Sequence, residues 1–182
     1  NTASANRSTV GGGTSNIASG CLSFVGGGNG VCATACLSTS VGGANNRASG
    51  ARAFHGGGSA NTASGYISVV VGGDSNTANA TYATIGGGSA NTASGTLSTI
   101  GGGNTNTASG GQYPTIAGGT CNTASGNYGS FVGGGYANTS SAYMTVVGGG
   151  FRNCATGSES TVSGGRCNVA SGTRATVGGG EA

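Results

Sequence analysis

The sequence predicts an all-β fold: a β-solenoid, or parallel β-roll, of twelve coils with two short strands in each coil of about fifteen residues. Three observations predict it. A glycine-rich unit recurs at a fixed period along the whole chain, small and β-branched residues alternate within that unit, and charge is nearly absent. With 43 glycines, one proline and nine charged side chains in 182 residues, the composition is not that of an ordinary globular core. Glycine without a Gly-X-Y period excludes collagen, and so low a charge argues against a solvated disordered tail.

Rows beginning at Asn1, Asn16, Val31, Asn46, Asn61, Asn76, Asn91, Asn106, Asn122, Asn138, Asn153 and Asn168 align into one array over 1–182; ten rows hold fifteen residues and two hold sixteen. The consensus, Asn-Thr-Ala-Ser-Gly-x-x-Ser-Thr-Val-Gly-Gly-Gly-x-x, is clean in residues 91–105. Positions within the unit are called slots one to fifteen. Slot one is asparagine in eleven rows and slot three is alanine in eleven, Ser140 being the exception. Slot ten is valine or isoleucine in eleven rows, with His55 the exception, if rows three, eight and nine slip locally before the aliphatic.

Each unit divides into halves of seven and eight residues, and each half reads as a strand closed by a corner. Alternation points alanine, or serine and valine, inward, and glycine takes the positive φ or close approach that corners need. The predicted core ladder therefore includes Ala3, Val10, Ala18, Val25, Ala63, Ile85, Ile100 and Val177. A core this thin offsets little of the chain entropy, so backbone ladders, stacked asparagines, disulfides or a partner must add to it.

Ser-Thr-Val-Gly, followed six residues after the valine by Asn-Thr-Ala-Ser-Gly, resembles the head repeats of YadA-like trimeric adhesins, and the resemblance covers all twelve units. It implies a left-handed parallel β-roll, lateral association of three chains and binding to surfaces. A second resemblance, of Asn-Thr-Ala-Ser-Gly to the half-coils of grass-type ice-binding β-rolls, implies the same fold and an ice-binding role.

Chemistry for catalysis is sparse. Asp74, Glu159 and Glu181 are the only acids and His55 the only histidine. Asp74 and Glu159 stand more than five coils apart, on the order of 25 Å at strand spacing, so no carboxylate pair forms within one chain. His55 reads as a substituted core slot. The triple glycines are corners: a phosphate loop needs a lysine, and the chain has none. One aspartate excludes calcium-binding β-roll repeats. No metal, cofactor or enzymatic activity is expected. Arg7, Arg47, Arg52, Arg152, Arg166 and Arg174 are scattered singly, which leaves no stripe for nucleic acid.

Residues 1–10 contain no apolar run, so neither a signal peptide nor a membrane-inserting segment is expected there. Six cysteines in so small a chain suggest an extracellular or cell-surface setting. Cys21 and Cys36 share a slot on successive coils, where strand spacing suits a disulfide; Cys154 and Cys167 form a second candidate pair if a corner draws them together. Sequons stand at Asn6, Asn79 and Asn138.

Slot seven carries Leu22, Leu37, Ile67, Tyr82, Leu97, Tyr128 and Met144 on the expected outer side, forming a candidate chain–chain interface. Solvated corner side chains are the plainer alternative. Serine or threonine fills slot four in eleven rows and threonine slot two in seven, a hydroxyl surface suited to ice, to glycans or simply to water. Ile17, Cys32, Arg47, Cys154 and Val169 interrupt the threonine column, which favours a fibre or adhesin segment over an ice binder. The expected partners are copies of the chain itself, side by side or end to end in a filament, and glycans or a surface.

Overall fold

The computed structural model describes residues 1–182 and is all-β, without helix. The chain divides into two compact units, Asn1–Ala90 and Asn91–Ala182. Each is a β-solenoid of six coils, twelve in all, with two two-residue strands per coil. In the first unit one parallel sheet runs from Thr2–Ala3 to Thr77–Ala78, and the other from Thr9–Val10 to Thr84–Ile85. The second unit repeats the plan from Thr92–Ala93 to Val169–Ala170 and from Thr99–Ile100 to Thr176–Val177.

Strands this short hold because the coil-to-coil backbone bonds do not stop where the strands do. Between the fifth and sixth coils the N–H groups of Thr62, Ser64, Val69, Val71 and Asp74 donate to the carbonyls of Asn76, Ala78, Ala83, Ile85 and Gly88, at 2.8–3.0 Å. A column of slot-one asparagines runs beside this ladder. Asn61 accepts the N–H of Asn76 on Oδ1 at 2.9 Å, while its Nδ2 donates to Gly57 O at 3.3 Å and Gly73 O at 2.7 Å. The second unit repeats this without a break, each of Asn106, Asn122, Asn138, Asn153 and Asn168 donating its N–H to the preceding asparagine at 2.9 Å. These amides are buried, and every buried polar atom of the column that bonds in this way avoids a desolvation cost. Val31 interrupts the first unit's column: its N–H donates to Asn16, but it has no side-chain oxygen to offer Asn46.

Ala18, Val25, Ala63, Ile85 and Ile100 of the predicted ladder are fully buried, and all stand in register columns. Ala3, Val10 and Val177 are not fully buried. Ala3 is exposed and the two valines are half-buried; all three belong to the first and last of the twelve coils. The expected slip in row three is also corrected. Ser40 occupies slot ten, paired with Val25 and His55, and Val41 points out, 46% exposed. Backbone pairing at a constant fifteen residues outweighs the gain from turning one valine inward, since a one-residue slip would reverse every following side chain. Ser140, the slot-three exception, is satisfied internally: its Oγ donates to Thr145 O at 2.8 Å and lies 2.7 Å from Thr145 Oγ1.

Corners differ most from expectation. Glycine takes positive φ at slot thirteen, but the corners at slots seven and fifteen place ordinary residues there, among them Leu22 (φ 55°), Ile67 (φ 54°), Tyr82 (φ 59°) and Met144 (φ 50°). Left-handed backbone costs such residues about 1–2 kcal/mol each. Hydrogen bonds to the preceding coil hold it in place, for example Leu22 N–H to Asn6 O at 2.9 Å and Ile67 N–H to Ala51 O at 3.0 Å.

Two stability predictions follow from these contacts. Asn61→Val orphans the groups its amide serves and should lower unfolding free energy by about 3 kcal/mol, whereas Val31→Asn should raise it by about 1 kcal/mol by completing the column; denaturant titration measures both. Among the glycines, Gly58 (φ 95°) has a virtual Cβ 2.9 Å from Gly73 N, while a Cβ on Gly57 meets nothing within 4 Å. Gly58→Ala should therefore cost about 2 kcal/mol or more, and Gly57→Ala should be neutral or stabilising by about 0.5 kcal/mol; thermal midpoints of the two variants make the comparison.

Candidate functional site: the outward corner and faces

Side chains at a left-handed corner leave the coil outward, so the corner of slots six and seven forms a ridge on each unit. In the first unit Leu22 and Leu37 are 48% and 46% exposed and Tyr82 is exposed, with Ile67 half-buried beside them. Leu97 and Met144 are exposed in the second. Tyr128 requires a correction. It belongs to slot six, because its carbonyl accepts Met144 N–H at 2.8 Å, and Gly129 takes slot seven with φ 60° and an N–H bond to Gln112 O at 2.9 Å. The extra residue of this sixteen-residue row precedes the corner and moves Tyr128 one slot back.

Arg52 interrupts the first unit's ridge, donating to Tyr66 Oη at 2.9 Å and lying over its ring. In the second unit the ridge gives way to Glu159 and Arg174, paired at 2.9 Å in solvent, where such a pair adds little stability.

Apolar groups continue from the ridge onto the adjoining sheet. Phe24 and Phe54 are exposed in the first unit and Phe131 in the second. Each ring lies across the glycine two residues on: a Cβ would sit 3.4 Å from Phe24 Cε1 at Gly26, 3.6 Å from Phe54 Cε1 at Gly56 and 3.5 Å from Phe131 Cε1 at Gly133. Val41 and Val71, both exposed, add to this face in the first unit. The opposite sheet presents hydroxyls. Thr92, Thr107, Thr123 and Thr139 stack in register in the second unit, followed by Cys154 and Val169.

Cys21 and Cys36, in slot six of successive coils, are disulfide-bonded with Cα atoms 4.6 Å apart. Cys154 and Cys167 are unbonded, as are Cys32 and Cys121. Cys154 pairs in register with Val169, so Cys167 falls two residues short of it, at the other corner. Of the sequons, Asn6 and Asn79 are exposed, but Asn138 is fully buried in the asparagine column and is closed to modification in the folded chain.

His55 is buried in the first unit's core, its Nδ1 3.5 Å from Ser40 Oγ and its Nε2 without a partner. Asp74 sits on an outer corner and bonds to Ser75 Oγ at 3.0 Å, so the two are not brought together around a serine. Burial lowers the His55 pKa to about 4. Neither unit has a pocket of its own, and the chain's His, Cys, Asp and Glu side chains form no group of three or more able to hold a metal ion.

Slot seven was legible as an outward column, but the aromatic column in slot six was not. Tyr66, Tyr128 and Tyr143 share slot six, while Tyr82 and Tyr113 occupy slot seven on neighbouring coils. Their recurrence at intervals of fifteen or sixteen residues was the available signal. At the other corner of the second unit, Tyr136 stacks on Phe151 at 5.3 Å, and Arg152 and Arg166 lie over the Phe151 ring.

Fold and surface together define a β-solenoid repeat protein with an apolar ridge and a hydroxyl face. The chain matches no protein-family model and no curated protein sequence.

Neutral His55 gives the first unit an acid sensitivity of definite sign. The unfolded chain takes up a proton near pH 6.5 and the folded chain only near pH 4. Stability is therefore full above about pH 6.5 and falls by about 3 kcal/mol in total as pH drops to about 4. Thermal unfolding across that range should show the loss in the parent chain, and His55→Val should flatten it.

Proposed function

We propose that the chain is a segment of an extracellular structural fibre or adhesin: a rigid, repetitive surface that associates laterally with copies of itself and catalyses no reaction. The observation that carries this reading is the exposed apolar ridge on each unit, Leu22 and Leu37 in the first, continued by Phe24, Phe54, Val41 and Val71 on the adjoining face, and Leu97 and Met144 in the second. Apolar groups exposed in this way suit burial against a second chain, and the repeated coils set them at a regular spacing. The Cys21–Cys36 disulfide supports an oxidising, extracellular location. Resemblance of the repeat to YadA-like adhesin heads supports the same reading, and the hydroxyl face is then free to meet glycans or a surface.

A second reading, ice binding, is favoured by one observation, the four threonines in register from Thr92 to Thr139. Cys154 and Val169 end that column, and in the first unit Ile17, Cys32 and Arg47 stand among its threonines. An array this short and broken ranks below the apolar ridge.

Sedimentation decides between them. The parent chain should be oligomeric at micromolar concentration, and Leu22→Asp with Leu37→Asp should shift it toward monomer without loss of β structure. A monomeric parent that shapes growing ice crystals would replace the fibre reading with the ice-binding one.

A further inference from the structure

We propose that the corner of slots six and seven is an oxidative stapling seam, in which tyrosines on successive coils couple to dityrosine under hydrogen peroxide and a haem peroxidase. Five of the chain's six tyrosines stand at this corner, and all five are exposed. They fall into close pairs. Tyr66 and Tyr82 have ring centroids 6.0 Å apart, Tyr113 and Tyr128 5.2 Å, and Tyr128 and Tyr143 5.8 Å. Backbone bonds across the same corner fix this juxtaposition: Tyr82 N–H donates to Tyr66 O at 2.9 Å and Met144 N–H to Tyr128 O at 2.8 Å. Phenols held one coil apart at the surface meet the two conditions for radical coupling, access for the oxidant and a neighbouring ring within reach.

The same column already carries a covalent link between coils. Cys21 and Cys36 occupy slot six on the second and third coils, so the corner geometry brings like side chains on successive coils within bonding distance. Tyrosine would extend this linkage to coils that have no cysteine at the corner.

The chemistry balances. The peroxidase removes one hydrogen atom from each phenolic O–H, and cleavage of the peroxide O–O bond takes both hydrogens into two molecules of water. The two phenoxyl radicals form a bond between ring carbons ortho to oxygen. The hydrogens on those carbons then move to the phenolic oxygens and restore both aromatic rings. Two tyrosines and one peroxide thus give one dityrosine and two waters. Each pair lies within one chain, so coupling needs no second copy. Because lateral association through this corner would shield the rings, the oxidation is run on the chain diluted until sedimentation shows it monomeric, which keeps the test separate from the fibre reading.

The test uses the full chain with its free thiols alkylated beforehand, because Cys121 is exposed and competes for oxidant. After treatment with hydrogen peroxide and haem peroxidase, the protein is separated on a denaturing gel. The monomer band is then digested with a protease that cuts at small residues and mapped by mass spectrometry. The expected products, each lighter by two hydrogens, join Tyr66 to Tyr82 and Tyr128 to either Tyr113 or Tyr143, and the monomer band shows dityrosine fluorescence. Tyr128→Phe should leave only the Tyr66–Tyr82 product, and Tyr136→Phe should leave the pattern unchanged. Adducts confined to species larger than monomer, incorporation of Tyr136 as readily as the others, or second-unit adducts surviving Tyr128→Phe would each overturn the proposal.

Discussion

Everything else in this molecule depends on hydrogen bonds that run from coil to coil. A slot-one asparagine uses its amide on three carbonyl or N–H groups, the N–H of the next asparagine and the carbonyls of two glycine turns on successive coils, as Asn61 does with Asn76, Gly57 and Gly73. The asparagine amides themselves are buried, where leaving them unpaired costs more than pairing them gains. The column therefore acts chiefly by preventing penalties. With the backbone satisfied in this way, alanine, valine and isoleucine suffice to fill the space between two sheets of two-residue strands.

The same bonds sustain backbone conformations that the residues would not choose for themselves. A β-branched residue such as Ile67 in the left-handed region is unfavourable in isolation. It persists because its N–H and the carbonyl of Ala51 are already placed by the coil behind. Two structural consequences follow. Each corner turns its side chain away from the core, and the identity of that side chain is released from packing. Leucine, arginine, tyrosine, methionine and glutamate all occupy the slot in turn. What the chain presents to other molecules is written at positions the core does not constrain.

Insertions are absorbed by the same logic. The two sixteen-residue rows are neighbours, and their extra residues stack at one corner, Gly111 N–H bonding to Gly126 O at 3.3 Å and Gln112 N–H to Asn127 O at 3.1 Å. Downstream the register is unchanged, with Ile116 over Val132. Pro114, which has no N–H of its own, still offers its carbonyl to Thr99. An extra residue is tolerated where its neighbour carries one too.

Period and alternation alone determined the solenoid, its two strands per coil, the buried alanine and aliphatic columns and the Cys21–Cys36 pairing, because each follows from which residues recur fifteen apart. Slot seven was recognisable as outward for the same reason. Tertiary structure decided what depends on hydrogen-bond partners. Ser40 rather than Val41 faces inward because the ladder keeps its phase. Gly129 rather than Tyr128 turns the corner because Gln112 supplies the acceptor, and Asn138 is a core amide although its sequence is that of a sequon. The left-handed corners were hidden for a related reason: local preference assigns positive φ to glycine, whereas here a hydrogen bond to the preceding coil imposes it. A residue's own chemistry announces its side of a strand, but the partner fifteen residues away settles its conformation.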